Sequence, residues 1–412
     1  MGGGMTMTTV VPDDGAIRCD GWSKDDVKVL VTGDLCPVAD VEDNFLAGKG
    51  EFVYGDLLAE LRDKDLSITN LELALTCGGV AIDKCGPNLR ANPDIFPAMA
   101  AADFDVYGLA NNHTRDWGDD AFLETMGHIE AAGRAHVGSG RNAAEAAKPL
   151  FIKAKGRTIA VIALTMHCDC DAGETTPGAN ALNLPYNILT IHAAKQQADD
   201  VIVIFHDGKE HVSFASTRIR NYCRAFVDAG ACAVIGHHPH ISRGFEFYRG
   251  SLIAYSLGNF LFPKRHGAGD PPSFWFEGYA LRLSLGADGV TGVDVIPHCY
   301  SAEGQHLSRM PEPRRAAFLA RLNRLNEILA KPGENERYFS ASAATFPYYY
   351  NVLQECSQGI LKGNDDEQRA GNGKRFHHYL TCDEHWDIME AMSMRHWSGV
   401  TDMPEDLDYF KQ

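Results

Sequence analysis

The chain has 412 residues, with 38 Lys and Arg against 55 Asp and Glu, for a formal net charge of −17. Hydrophobic residues make up 45 % and charged residues 23 %, which excludes disorder over most of the chain. The acidity argues against an extended nucleic-acid interface, because a phosphate backbone is met by a basic patch.

The first 22 residues carry neither a basic region nor the apolar run of a signal peptide. Eleven cysteines, from Cys19 to Cys382, show no framework spacing. Without a secretion signal they read as reduced thiols, so the expected location is the cytoplasm. Cys168-Asp169-Cys170, after His167, reads as a loop rather than a metal site, since one residue separates the thiols and no second pair exists.

From about residue 25 to 300, short apolar runs alternate with helical patterns. The strands expected are Val27–Thr32, Leu66–Thr69, Val106–Leu109, Ile159–Leu164, Val201–Phe205, Cys232–Ile235, Leu252–Tyr255 and Leu281–Leu285. They are rich in Val, Ile and Leu with little alternation, as in a sheet covered on both faces. Val201–Phe205 is strand-length and far short of the ~20 residues of a membrane span. Phe122, Met126 and Ile129 fall on one helical face and the pattern stops at Gly133; Ile219, Cys223, Phe226 and Val227 repeat this before Gly230. The order gives an α/β architecture.

Residues 301–412 differ in character and read as a helical C-terminal appendage to a domain at 25–300. Pro311–Leu329 is helical, with Phe318, Leu322, Leu325 and Leu329 on one face. Gly363–Gly373, dense in Gly, Asn, Asp and Glu, reads as a mobile loop, and Phe376–Trp397 as helical. His385-Trp386 and His396-Trp397 recur eleven residues apart, three helical turns, and read as a packing stripe. Tyr348-Tyr349-Tyr350 reads as core or interface.

Five polar clusters each follow a predicted strand: Gly33-Asp34, Asn70-Leu71-Glu72, Asn111-Asn112-His113, His206, and Gly236-His237-His238-Pro239-His240. Ligands of open α/β sheets bind beyond the carboxyl ends of the strands, so the five converge on one place. One alone is a turn or helix cap. Together they supply carboxylates, amides and several imidazoles, a set that suits divalent ions of the Mn, Zn or Fe type.

The motifs GDLCP (33–37), NLELALT (70–76), LRANP (89–93), LANNHTRDWG (109–118), HVGSG (136–140), HDGKEH (206–211), GHHPHISRG (236–244) and YSLGNFLF (255–262) resemble those of the CapA-like, poly-γ-glutamate capsule biosynthesis family. That family lies within the calcineurin-like metallophosphoesterase superfamily. The resemblance implies a four-layer α/β/β/α metallophosphoesterase-like sandwich with two divalent metal ions at the strand ends. It implies Asp34, Glu72, Asn112, His206, His238 and His240 as metal ligands, with Glu72 bridging. His113 is the implied general acid, oriented by Asp116, and His237 is an outer-shell or core residue. Arg90, Arg243 and Asn259 are the candidate substrate contacts. Cys36 stands where calcineurin-type phosphoesterases carry His, and HDGKEH lacks the family's Trp and Tyr, which suggests a differently lined pocket. Lys264-Arg265-His266 reads as a solvated loop.

The resulting expectation is a metal-dependent hydrolase acting through metal-activated water on a small or oligomeric anionic substrate. A phosphate ester and a γ-glutamyl-type amide are equally open, and no nucleic acid or membrane partner is expected. The alternatives are a non-catalytic accessory protein of polyglutamate capsule synthesis, and a tailoring enzyme performing amide or ester exchange at the metal centre.

Overall fold

The computed structural model describes residues 9–263, 273–301, 305–363 and 365–411; Lys264-Arg265-His266 lies outside them. Two sheets carry the fold. In the first, Val27–Leu35, Leu66–Leu71, Val106–Gly108 and Ala135–Val137 run parallel, and Glu277–Gly286 and Gly289–Tyr300 continue the sheet antiparallel beyond Val27–Leu35. In the second, Arg157–Thr165, Asp200–His206, Ala233–His237 and Ser251–Ala254 run parallel, and Leu150–Ala154 and Phe245–Tyr248 close the edges antiparallel.

Side chains alternate across a strand, so each apolar run feeds two layers. Val29, Val31, Ile68 and Val106 meet Val161, Ile202, Ile204 and Ile235 between the sheets. Leu30, Leu71 and Tyr107 face outward onto Phe122, Met126 and Ile129, on one face of the helix Gly118–Ala131. On the opposite side, Ile162, Val203 and Val234 pack under the helices Leu184–Lys195 and Thr217–Asp228, through Ile191, Ile219, Cys223 and Phe226. The architecture is therefore the expected α/β/β/α sandwich. The strands read as unbroken apolar runs because both faces of both sheets are covered.

Val27–Leu35 extends past its predicted end, which places Asp34 on the strand itself. Beside it runs a short strand, Asn259–Leu261, with Asn259 in register with Asp34. The two backbones approach so closely that a Cβ at Gly33 would lie 1.9 Å from the Gly258 carbonyl oxygen. Only glycine is tolerated at such an approach.

The C-terminal residues form the helices Arg314–Ala330, Glu334–Ala343, Tyr348–Lys362, Asp366–Thr381 and Asp383–Ser398. Ile328, Phe339, Tyr349, Ile388 and Met392 bury Val212 and Phe214, from the segment that follows Asp200–His206. The loop expected at 363–373 is instead largely the start of Asp366–Thr381. The Asp365 side chain accepts from the Gln368 backbone N–H at 2.7 Å. With Asp366 and Glu367 in the first turn, this cap offsets the weak helix propensity of Gly371 and Gly373. The packing stripe is also not what forms: His385 is buried, but His396 and both tryptophans are exposed, Trp397 by 84 %. The helix leaves the core after Arg395. Of the three tyrosines only Tyr349 is buried, bonded to His385 Nδ1 at 2.8 Å. No described helix is long and apolar enough to cross a membrane, and the eleven cysteines are unpaired thiols.

Candidate metal centre

The strand ends of both sheets meet along one seam. Asp34 and Glu72 come from the first sheet, His206, His238 and His240 from the second, and all five are buried. His206 Nε2 lies 3.6 Å and His240 Nε2 3.8 Å from Glu72 Oε1. His206 Nδ1 and His240 Nδ1 lie 4.0 and 3.6 Å from the two Asp34 oxygens. Asn112 completes the cluster, its Oδ1 2.9 Å from His206 Nε2. Two groups of potential ligands result, Asp34–Glu72–His206 and Glu72–His238–His240, each offering donor atoms within 4.8 Å of one another. Glu72 belongs to both.

A layer of amides and carbonyls holds these groups. Asn70 Nδ2 donates to Asp34 Oδ1 at 2.7 Å and faces His206 Nδ1 at 3.2 Å. Asn111 donates in turn to Asn70 Oδ1 and to the Leu71 carbonyl, at 3.1 and 2.8 Å. The tight turn through His238-Pro239-His240 puts φ at 92° for His238 and 59° for His240, left-handed conformations unfavourable for residues with a Cβ. Strain of this kind persists where the surroundings over-determine it, as at binding sites.

Burial holds His206 well below the ordinary imidazole pKa, with a further push from His238, His237 and His240. Burial also brings His240 down to about 4. Both rings are therefore neutral at pH 7, the form in which imidazole binds a metal. His238 differs. Burial lowers its pKa, but the Glu384 carboxylate beside Nε2 and the charge of Glu210 outweigh that and raise it.

The donors fit divalent ions. Imidazole nitrogens, carboxylates and an amide oxygen converge from separate elements, and both ring nitrogens of His238 are buried with no hydrogen-bond partner among the described residues. An orphaned nitrogen of this kind is costly unless something else binds it.

Beside the cluster, His113 Nδ1 pairs with Asp116 Oδ2 at 2.7 Å. Lys84 forms an ion pair with the other Asp116 oxygen and donates to the Asn112 carbonyl at 2.8 Å. Asp116 also accepts from the Leu89 N–H at 2.6 Å.

Each of the three candidate substrate contacts has partners within the chain. Arg243 is buried and donates to the carbonyls of Val212 and Lys209, both at 2.8 Å, so its guanidinium braces that segment instead of facing the centre. Arg90 stacks over Trp117 at 3.7 Å and donates to the Gly78 carbonyl. Asn259 accepts from His240 Nδ1 at 3.0 Å and donates to the Trp275 carbonyl, which makes it a support for His240. His237 Nε2 donates to the Thr32 carbonyl at 2.9 Å, which ties it to the strand that carries Asp34.

Sequence reasoning gave no role to Asn70, Lys84, Lys209 or Glu384. Asn70 lies inside the NLE motif and could have been read there. Lys84 and Glu384 had no local signal, since tertiary contacts alone bring them in. Cys382, Glu384 and His385 form a third group of suitable donors. There, however, the Lys209 ammonium already meets the Glu384 oxygens at 3.2 and 3.3 Å.

Several known proteins share this chain's sequence features. It is 35 % identical over 178 residues to the PGA biosynthesis protein CapA of Bacillus subtilis (strain 168), covering 42 % of this chain and 47 % of that one. It is 33 % identical over 181 residues to the capsule biosynthesis protein CapA of Bacillus anthracis, covering 42 % and 44 %. A probable polyglutamine synthesis accessory protein of Mycobacterium tuberculosis (strain ATCC 25618 / H37Rv) is 27 % identical over 248 residues, covering 56 % and 65 %. The chain thus spans about half the length of the two Bacillus relatives it matches. The family model described as "Bacterial capsule synthesis protein PGA_cap" matches residues 28–264, more than half of the chain and all five strand-end clusters. The chain belongs to this bacterial capsule synthesis (PGA_cap) family.

Proposed function

We propose that the protein is a metal-dependent hydrolase acting on a small or oligomeric anionic substrate, either a phosphate ester or a γ-glutamyl-type amide. One observation carries this reading: two ligand groups share Glu72 and lie beside an oriented His113–Asp116 pair. Asp34, Glu72, Asn112, His206, His238 and His240 would hold two divalent ions of the Mn, Zn or Fe type. Such ions, when bound, would supply activated water at neutral pH and polarise the group under attack.

The chain's own groups supply the rest. Asp116 accepts from His113 Nδ1, which leaves His113 Nε2 to carry the proton toward a departing oxygen or nitrogen. Lys84 pins Asp116 and the Asn112 carbonyl, so the acid and one ligand are held by a single cation. Burial keeps His206 and His240 neutral at pH 7, the protonation state in which an imidazole can bind a metal.

The word "accessory" in the name of the Mycobacterium tuberculosis relative, a probable polyglutamine synthesis accessory protein, favours a second reading, an accessory role in poly-γ-glutamate synthesis in which this chain turns nothing over. A parallel assay separates the two. Protein loaded with Mn²⁺ or Zn²⁺ is offered an aryl phosphate, an aryl phosphodiester and γ-glutamyl amides, with His113→Ala as control. Turnover of one class that is lost in the control supports the hydrolase and fixes the chemistry. Bound metal with no turnover of any class supports the accessory role.

A further inference from the structure

The helix Asp383–Ser398 lies far beyond residue 264, where the family match ends, yet it reaches the centre. Glu384, on its first turn, is buried, and its Oε2 lies 3.4 Å from His238 Nε2. The carboxylate is itself fixed on two further sides, by Lys209 Nζ at 3.2 and 3.3 Å and by the Glu210 backbone N–H at 3.0 Å. The helix is anchored next to it. Arg218 donates to Asp387 at 2.9 and 3.0 Å and to Asp207 at 2.7 and 2.9 Å, and Ser216 donates to Asp387 at 2.7 Å.

We infer that Glu384 is a positioning residue of the metal centre: it holds His238 Nε2 and thereby turns Nδ1 toward the metal, so that the C-terminal helices complete the site. A metal-binding histidine commonly gives its second nitrogen to a carboxylate or carbonyl, which fixes the tautomer and the ring orientation. His240 already shows the pattern, with Nδ1 held by Asn259 Oδ1 at 3.0 Å and Nε2 facing Glu72. His238 is placed as its mirror image: Nε2 lies 3.4 Å from Glu384 Oε2, an ion-pair distance, while both of its ring nitrogens are buried with no hydrogen-bond partner among the described residues, so Nδ1 is the one left open. On this placement His238 and His240 of GHHPH offer opposite nitrogens. The strained turn between them, with both φ values positive, is what allows two residues so close in sequence to do so.

This inference rests on the metal reading above, and the experiment separates the two. Zn²⁺ affinity is measured by calorimetric titration of wild type, Glu384→Ala and Glu384→Gln, with circular dichroism to confirm folding. The His238 tautomer is read from the side-chain ¹⁵N resonances of the zinc-loaded proteins, assigned with His238→Ala. Glu384→Ala is expected to weaken zinc binding about 10- to 100-fold, the usual effect of losing an outer-shell partner. Glu384→Gln, which keeps an acceptor, is expected to recover most of that loss. Wild type should show His238 protonated at Nε2. If Glu384→Ala fails to fold, the wild-type tautomer and the Gln variant carry the test. Unchanged affinity in the Ala variant, or His238 protonated at Nδ1 in wild type, overturns the role of Glu384 alone. A wild type that binds no zinc overturns the metal reading, and the inference with it.

Discussion

Glu72 Oε1 and His206 Nε2 lie 3.6 Å apart, although one directly follows a strand of the first sheet and the other ends a strand of the second. The contact crosses the seam of the sandwich. Neither sheet alone could form the centre, because each brings a complementary part of the donor set. The carboxylates arrive from the first sheet and the imidazoles from the second. The apolar layer between the sheets therefore sets the distances on which the site depends.

Asn70 ties these halves together, and its loss should be felt twice. Asn70→Ala leaves the buried Asp34 carboxylate without its 2.7 Å donor, a desolvation cost of about 1–3 kcal/mol. It also releases His206 Nδ1. A lower midpoint in urea unfolding and weaker metal binding in the same variant are expected. A variant as stable as wild type, with unchanged affinity, would show that the hub is dispensable.

His113→Ala should lower kcat by about 10²–10⁴, the usual contribution of a general acid, while the metal content stays at the wild-type level. Asp116→Asn should act in the same direction, since it replaces the anionic acceptor that orients Nδ1 with a neutral amide. Metal analysis beside steady-state kinetics checks both. Loss of metal in His113→Ala would place that ring among the ligands.

Acid should destabilise the metal-free protein. His240 falls from an unfolded value near ~6.5 to about 4, with burial as the main cause. In that window the unfolded chain binds the proton and the folded chain does not, so stability rises with pH. The contribution is fully present above about pH 6.5 and is lost as pH falls through about 4, amounting to about 3 kcal/mol for this ring. His298, also brought to about 4 by burial, works in the same direction. His238, raised by Glu384, opposes them: its contribution is present at low pH and lost as pH rises. Urea unfolding of chelator-treated protein across this range should show the decline. A stability that increases on acidification would refute the assignment of neutral, buried rings.

The docking of the C-terminal helices rests on Arg218, forked between Asp207 and Asp387. Arg218→Ala leaves both buried carboxylates without their cation, so unfolding free energy should drop by about 3–5 kcal/mol. Denaturant titration measures this directly, and a loss under ~1 kcal/mol would mean that the pair is screened like a surface bridge.

Much of this was legible from residue order. Asp34, Glu72, Asn112, His206, His238 and His240 each follow an apolar run, and the strand-end rule needs only that run and the polar residue after it. Residues whose role depends on docking were not legible. Arg243, just after GHHPH, looks like a cation for a substrate until its guanidinium is found on the Val212 and Lys209 carbonyls. Asn259 looks like a ligand contact until its partner is seen to be His240. Glu384 has no neighbour in sequence that hints at His238, because the contact depends on how five helices pack. The loop expected at 363–373 failed for a local reason: composition counted the glycines and missed the Asp365 cap.

The most direct test of the account is elemental analysis of the purified chain after loading with Mn²⁺ or Zn²⁺, for wild type, Glu72→Ala and His238→Ala. A centre in which Glu72 serves both ligand groups predicts about two ions per chain in wild type. It predicts loss of bound metal in both variants, most completely at Glu72. Full retention in both variants, or a wild type that takes up no metal, would contradict it.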